Sequence, residues 1–341
     1  MRRIKWVGVM SFMTISLYGA SHDDHQVSQK VGTQINYDDL DFELNTRKDK
    51  KIIKDFSYAR RHSAFYKNKK YFVTEFTPEL CLREEKFGQE VKDQFTQGSQ
   101  LDHPHVVRFE GYSLKIDMKE GIGPCYMTQK YDFTLEDYFK IKDKASLSEA
   151  ESTFKTAISS LTERLSILRQ ILSGLQYLQS KNVRFTPTPS DIIFHSLHPT
   201  TVKIDNYWSF PLLKEASGFQ ERRVETIYRA PEIYHDKNAD PFAFGLAMLM
   251  WEILYQKKIH DVLQFPSEAD TQVFLAKAKR PSINEKPIDW PVEKEESWKR
   301  LASLICKAWA HNPADRATLE EIDAVIEGVL VVDLETPKDA T

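Results

Sequence analysis

Between residues 161 and 180 the chain reads LTERLSILRQILSGLQYLQS, which sets Leu161, Leu165, Leu168, Ile171, Leu172, Leu175 and Leu178 three and four positions apart. That spacing draws a continuous apolar stripe along one face of a helix. The segment PFAFGLAMLMWEILYQ (241–256) is apolar nearly all round. It predicts a helix at the centre of a helical unit, with no face reserved for water. SWKRLASLICKAWA and TLEEIDAVIEGVL predict two more amphipathic helices. Upstream the period changes. YFVTEF (71–76) predicts a strand bounded by lysine-rich turns, and HVVRFEGYSLKI and GPCYMTQKY predict two others. Between the first two lies the charged, intermittently apolar ELCLREEKFGQEVKDQFTQGSQL, a helix that Gly98 weakens or ends. Polar residues 142–160 interrupt the pattern as an insertion or an exposed helix hairpin. The first third is thus strand-rich with one helix and the remainder mostly helical, an α+β chain.

The N-terminus departs from this pattern. MRRIK carries three positive charges, WVGVMSFMTISLYGA is uncharged and apolar, and polar SHDDHQ follows at once. That is the layout of a secretory signal peptide over residues 1–20, since fifteen apolar residues fall short of the ~20 of a membrane span. Cleavage is expected after Ala20 or Ser21, leaving a polar linker over 21–36 and no further membrane segment. With 341 residues, 41% hydrophobic, the chain can bury a sizeable core, and its net charge of −3 gives no basic field for nucleic acid or an anionic membrane. Cys81, Cys125 and Cys306 are far apart and odd in number, so neither a disulfide framework nor a zinc site is indicated.

Local motifs give the pattern a family. YRAPEIY (228–234) resembles the Ala-Pro-Glu motif of protein kinases, DPFAFGLAMLMWEIL (240–254) looks like their buried central helix, and LICKAWAHNPADRATLEEI (304–322) is similar to the ending of tyrosine and tyrosine-kinase-like kinases. More weakly, LDHPHVVRFEGY (101–112) is like the turn after the first lobe's helix, and CYMTQKYDFTLEDYF (125–139) like the strand, hinge and helix that frame adenine, with Met127 or Thr128 as gatekeeper. The resemblance implies a bilobal protein-kinase-like fold over 37–328, with a small strand-rich N-lobe, a larger helical C-lobe and a C-terminal tail over 329–341. It also implies that Glu232 pairs with Arg316 and that Asp240 accepts hydrogen bonds from the catalytic-loop backbone, both structural roles.

The chemistry of phosphoryl transfer needs a glycine-rich cover, a lysine on the phosphates, carboxylates for magnesium and an aspartate for the hydroxyl. Aligned on the family, YARRHSAFYK puts Tyr58, Arg60 and Ser63 in the glycine positions, with Arg60 or Arg61 able to meet an anion. KKYFVTEF places Thr74 at the lysine, whose helix partner is one of Glu85, Glu90 and Gln94. RFTPTPSDII (184–193) stands where H-R-D-L-K-P-S-N-I-L belongs, so Thr186 replaces the base and Thr188 the catalytic-loop lysine. A threonine hydroxyl cannot take a proton at neutral pH, and a neutral side chain cannot offset transition-state charge. Asp205 keeps the main metal carboxylate, and Asp191 stands in the metal-binding asparagine's place, where capping the turn is favoured over a vestigial metal ligand. Asn206 in the D-F-G position and Arg184 in the histidine's place put two polar groups into a normally apolar column between the lobes.

These losses at four separate places imply a pseudokinase, not an enzyme, that needs no cofactor; ATP with magnesium is not expected. The expected role is a secreted scaffold, decoy or allosteric regulator whose partner is a protein, an active kinase or its substrate, with delivery into a host cell as one destination. Thr226 and Tyr228 resemble modifiable positions. Two other readings stand beside it: a transferase with a remodelled cleft built on Asp191, Asp205, Glu75 and His62, and a lumenal receptor-like interaction domain.

Overall fold

The computed structural model describes residues 33–45, 50–55, 59–78, 85–207, 227–234, 242–263 and 279–335. The predicted leader, Tyr58, Thr226 and Asp240 lie outside them. The N-terminal part is a seven-stranded sheet with one helix packed on it. Its strands are β1 (Thr33–Gln34), β2 (Asp41–Phe42), β3 (Ile52–Asp55), β4 (Ala59–Tyr66), β5 (Lys69–Phe76), β6 (Phe109–Ser113) and β7 (Cys125–Gln129), and the helix is α1 (Glu85–Gln100), which runs through Gly98. The strand order is β1-β6-β7-β5-β4-β2, with β3 also on β4. A two-residue turn joins β4 to β5, with Lys67 and Asn68 both at positive φ, the backbone that matches the twist of a hairpin.

Period-two alternation gives this sheet two different faces. On the outer face Ala64, Tyr71, Val73, Cys125 and Met127 cluster with Ile35, Tyr37 and Leu40. The segment between β1 and β2 therefore covers the sheet from one edge to the other. Sheet pairing begins at Thr33, four residues before the expected domain start, because β1 lies parallel to β6. On the inner face Phe76, Phe109 and Tyr126 join the main core together with Phe95 of α1.

The C-terminal part is helical. It holds a small sheet of β8 (Phe133–Thr134), β9 (Ile192–His195) and β10 (His198–Ile204), and the helices α2 (Leu135–Ile141), α3 (Glu149–Ala157), α4 (Leu161–Ser180), α5 (Phe242–Tyr255), α6 (Ile259–Leu263), α7 (Glu295–Ala308) and α8 (Leu319–Glu335). The polar interruption forms α3, capped by Ser148 and Glu151 and anchored by Phe154, whose ring stacks on Phe133 at 4.6 Å. Ser160 caps α4 by accepting from the Glu163 amide, and the leucine stripe beyond it is buried. Gly174 lets α4 lie directly on β10, since a Cβ there would sit 2.8 Å from the His105 carbonyl oxygen and from Ile204 Cδ1. Every residue from Phe242 to Leu254 is buried, which makes α5 the centre of the core. Helix α8 continues past Gly328 to Glu335, so the expected tail begins as helix. The result is the α+β bilobal arrangement: a strand-rich lobe followed by a helical one.

Candidate functional site

The hairpin register brings Arg61 opposite Thr74 on the inner face of the sheet. Thr74, where the phosphate lysine belongs, accepts a hydrogen bond from Arg61 Nε at 3.0 Å. The guanidinium then reaches across the cleft. Arg61 Nη1 donates to Tyr131 Oη at 3.1 Å and to Asp205 Oδ2 at 2.5 Å, and Nη2 donates to Asn206 Oδ1 at 3.0 Å. Both charged side chains are shut away from water, Arg61 at 0% and Asp205 at 1% exposure. Burial works against the Arg61 charge, but Asp205 together with Tyr131 and Tyr126 outweighs that penalty and holds the guanidinium pKa well above its usual range. Arg61 is thus a fully desolvated cation held by a strand of one lobe and a carboxylate of the other.

Asp205 follows β10 directly, and its amide donates to the Asp191 carbonyl at 2.8 Å. Its Oδ1 has no hydrogen-bond partner among the described residues. Asn206 sits at φ 54°, a left-handed conformation that asparagine tolerates better than most side chains. This turns its amide into the cleft, where Nδ2 donates to Asp191 Oδ1 at 3.0 Å while Oδ1 accepts from Arg61. The amide orientation is fixed by these neighbours, one purely acceptor and one purely donor. Asn206 and Arg61 together therefore bridge the two carboxylates that would share a metal. The sequence-based expectation that Asn206 and Arg184 enter the apolar column is corrected on both counts. Tyr207 is the residue buried there, its hydroxyl donating to the Val107 carbonyl, and Arg184 is exposed while Phe185 joins the core.

The catalytic-loop positions are taken up by the fold itself. Thr188 and Asp191 form a capping box around the turn Pro189–Asp191: Asp191 Oδ2 accepts from the Thr188 amide at 3.1 Å and from Thr188 Oγ1 at 2.6 Å. Thr186 packs its methyl against the central helix, where Cγ2 would lie 3.1 Å from a Cβ on Gly245. Met127 and Thr128, the two gatekeeper candidates, point opposite ways. Met127 joins the outer cluster, while Thr128 pairs with Phe72 on the inner face and is buried. The side chains of residues 85 and 90 lie outside the described part, and Gln94 is half-buried.

His62 and Glu75 face away from this site, because they alternate with Arg61 and Thr74 along their strands. On the outer face Glu75 accepts from Tyr37 Oη at 2.7 Å, Lys50 Nζ at 2.9 Å and the Gly123 amide at 3.3 Å. His62 Nε2 lies 3.6 Å from the same carboxylate, and burial lowers its pKa despite Glu75. The remodelled transferase site expected from Asp191, Asp205, Glu75 and His62 is therefore not assembled: the sheet separates the two pairs.

In the helical lobe Arg316 grips Glu232 in bidentate fashion, Nη2 to Oε2 at 2.7 Å and Nη1 to Oε1, and donates Nε to the Ala310 carbonyl at 2.8 Å. Tyr228 is buried with its hydroxyl against the Glu252 carboxylate, which places it out of reach of a modifying enzyme in this conformation. A separate cavity of ≈ 510 Å³ is lined by His103, Arg108, Lys130, Phe194, Leu197 and Lys203 among others. It shares Tyr131 with the Arg61 network but has neither carboxylate on its wall.

Comparison with known proteins agrees with this architecture. The family model for protein tyrosine and serine/threonine kinases matches residues 82–326. A candidate serine/threonine-protein kinase/receptor of Acanthamoeba polyphaga mimivirus is 23% identical over 320 residues, 90% of this chain and 16% of that protein. The serine/threonine-protein kinase pim-2 of Danio rerio is 25% identical over 209 residues, 59% of each chain. The dual specificity protein kinase shkB of Dictyostelium discoideum is 23% identical over 269 residues, 73% of this chain and 35% of that one. In each case the chain spans less than two thirds of the relative's length.

Proposed function

The chain belongs to the protein tyrosine and serine/threonine kinase family, and from that premise we propose that it is a degenerate, tyrosine-kinase-like member that acts by binding signalling proteins and moves no phosphate. The observation that carries this reading is the state of the catalytic loop. A kinase places an acid where the substrate hydroxyl arrives and a cation beside the transferred group. Here those positions hold Thr186, packed on α5, and Thr188, spent on capping Asp191. Neither can accept a proton or carry charge at neutral pH. What the chain keeps is the apparatus of the fold: the Glu232 to Arg316 pair and the wholly buried α5. A rigid lobe without chemistry is suited to docking an active kinase or its substrate as scaffold, decoy or allosteric regulator. The leader-like residues 1–20 put that activity on a secretory route, with a host cell as a destination for delivery.

The test is a transfer assay on the mature chain from residue 21 or 22, recovered from a secreted fraction so that its N-terminus reports cleavage. Labelled ATP with magnesium or manganese is supplied with generic protein acceptors. No label above background is expected on the chain or the acceptors. Labelling that disappears in Asp205→Ala would sink the reading and restore a transferase.

A further inference from the structure

Phosphoryl transfer in this family draws on a divalent cation, and the described residues can be asked whether they accept one. Of the two carboxylates available, Asp191 has one oxygen bonded by Thr188 and the other by Asn206. Asp205 gives Oδ2 to Arg61, and the donor set is completed by an amide and a guanidinium, neither suited to a hard cation that seeks several oxygens. No group of three or more metal-ligating side chains occurs among the described residues. A metal with its charge would also have to sit beside a desolvated guanidinium. The residues present do not fit the ion.

We propose that Arg61 is the resident cation of the cleft: it takes at Asp205 the place of the divalent metal, excludes that metal, and latches β4 to the segment after β10. The geometry is that of a cation with its ligand shell made by the chain. Four acceptors from three parts of the fold converge on it: Thr74 from β5, Tyr131 from the segment after β7, and Asp205 and Asn206 from the other lobe. Both lysine substitutions, at Thr74 and Thr188, become coherent in this light. A second cation in the cleft would stand against Arg61, whereas a threonine at position 74 supplies an oxygen to it. Asn206 plays the matching part, since a phenylalanine there would leave Arg61 Nη2 and Asp191 without that bridging amide. Arg61 thus supplies the counter-charge of Asp205 in the absence of any ligand.

The inference is independent of which partner the chain binds, and it is tested by thermal unfolding of the full mature chain in chelator and in millimolar magnesium or manganese, each with and without ATP. The wild-type midpoint is expected to be the same in all of these. Arg61→Met keeps the aliphatic stem and removes the charge, leaving Asp205 buried without its partner. Its midpoint should fall by about 10 °C in chelator, and manganese should restore part of the loss, because the freed carboxylate now seeks a cation. The double variant Arg61→Met with Asp205→Asn should regain much of the stability and lose the manganese response. Should Arg61→Met not fold, Asp205→Asn alone serves: it should lower the midpoint and stay insensitive to manganese. A wild-type midpoint raised by either metal, alone or with ATP, would overturn the proposal, as would an Arg61→Met midpoint equal to the wild type's. Metal-dependent binding of ATP without transfer would defeat this inference and leave the proposed function standing; transfer without metal binding would do the reverse.

Discussion

Among the guanidinium–carboxylate pairs of the described residues, the one in the helical lobe at Arg316 and the one in the cleft at Arg61 are built on opposite principles. Arg316 meets Glu232 with both nitrogens on both oxygens, and its remaining donors go to the Ala310 and His311 carbonyls, with 6% and 17% of the two side chains still exposed. Arg61 meets Asp205 through one oxygen only, with neither side chain in contact with water, and Asp205 Oδ1 lacks a hydrogen-bond partner among the described residues. The first pair joins two parts of the helical lobe. The second joins two lobes, and its desolvation cost is met by a shell of neutral oxygens from Thr74, Tyr131 and Asn206. A rim-wetted, bidentate pair is a fastener; a dry, one-legged pair with a ligand shell is a site that has been filled.

The comparison breaks most visibly in a pair of double-mutant cycles read by denaturant unfolding. Removing the charge of Arg61 should cost about 3–5 kcal/mol, since it leaves a buried carboxylate uncompensated. Removing Arg316 should cost less, about 1.5–3 kcal/mol, the range for charged hydrogen bonds with some solvent access. The decisive quantity is the coupling within each pair. For Arg61 and Asp205 the double variant should recover most of the loss, because the pair as a unit adds little net stability. Equal costs for the two arginines would mean that the cleft pair is an ordinary fastener.

The fastener was legible in the sequence and the filled site was not, for a physical reason. YRAPEIY and the arginine of HNPADRA carry their meaning within short windows, and the helices α4 and α5 declare themselves by apolar spacing alone. The losses at Thr74, Thr186 and Thr188 are also local substitutions. What replaces them is not local. Arg61 reaches Thr74 only through the register set by the Lys67 and Asn68 turn, and it reaches Asp205 across 144 positions of chain. The same register puts His62 and Glu75 on the far face, where one residue of slip would have put them in the cleft. Asn206 departs from its expected place for a similar reason. Its column position assumed the backbone of an ordinary D-F-G turn, whereas φ 54° rotates the amide inward and hands the buried place to Tyr207.

A buried carboxylate without an arginine sharpens the contrast. Glu252 is buried near the C-terminal end of α5, and burial raises its pKa to about 8 in spite of the bond its carboxylate accepts from the Ile259 amide. The unfolded chain would release this proton near pH 4.5, the folded one near 8. Between those values the folded state holds the extra proton, so this group's contribution to stability is full below about pH 4.5 and declines as pH rises toward 8. The slope cannot exceed about 1.4 kcal/mol per pH unit for a single proton. Glu252→Gln should therefore gain on the wild type steadily from pH 5 to pH 8, measured as the difference in unfolding midpoint, and stop gaining above that. A constant difference over the range would show that Glu252 stays ionised and has found a cation of its own.

The smallest effect is expected where a kinase would be most sensitive. Thr186→Asp restores the acid that the catalytic loop lacks, at a half-buried position beside α5. In a cleft missing only its base, the substitution should recover part of the 10²–10⁴-fold that general-base assistance supplies. Here it should recover nothing. Asp205 is committed to Arg61, Thr74 offers a phosphate no charge, and Thr188 caps a turn, so the new carboxylate has neither an oriented phosphoryl group nor a counter-charge to work against. ATP turnover should stay at background with any divalent metal. Turnover that appears with Thr186→Asp alone would mean that Arg61 yields to the nucleotide when a base is present, and that the two arginine pairs differ only in burial.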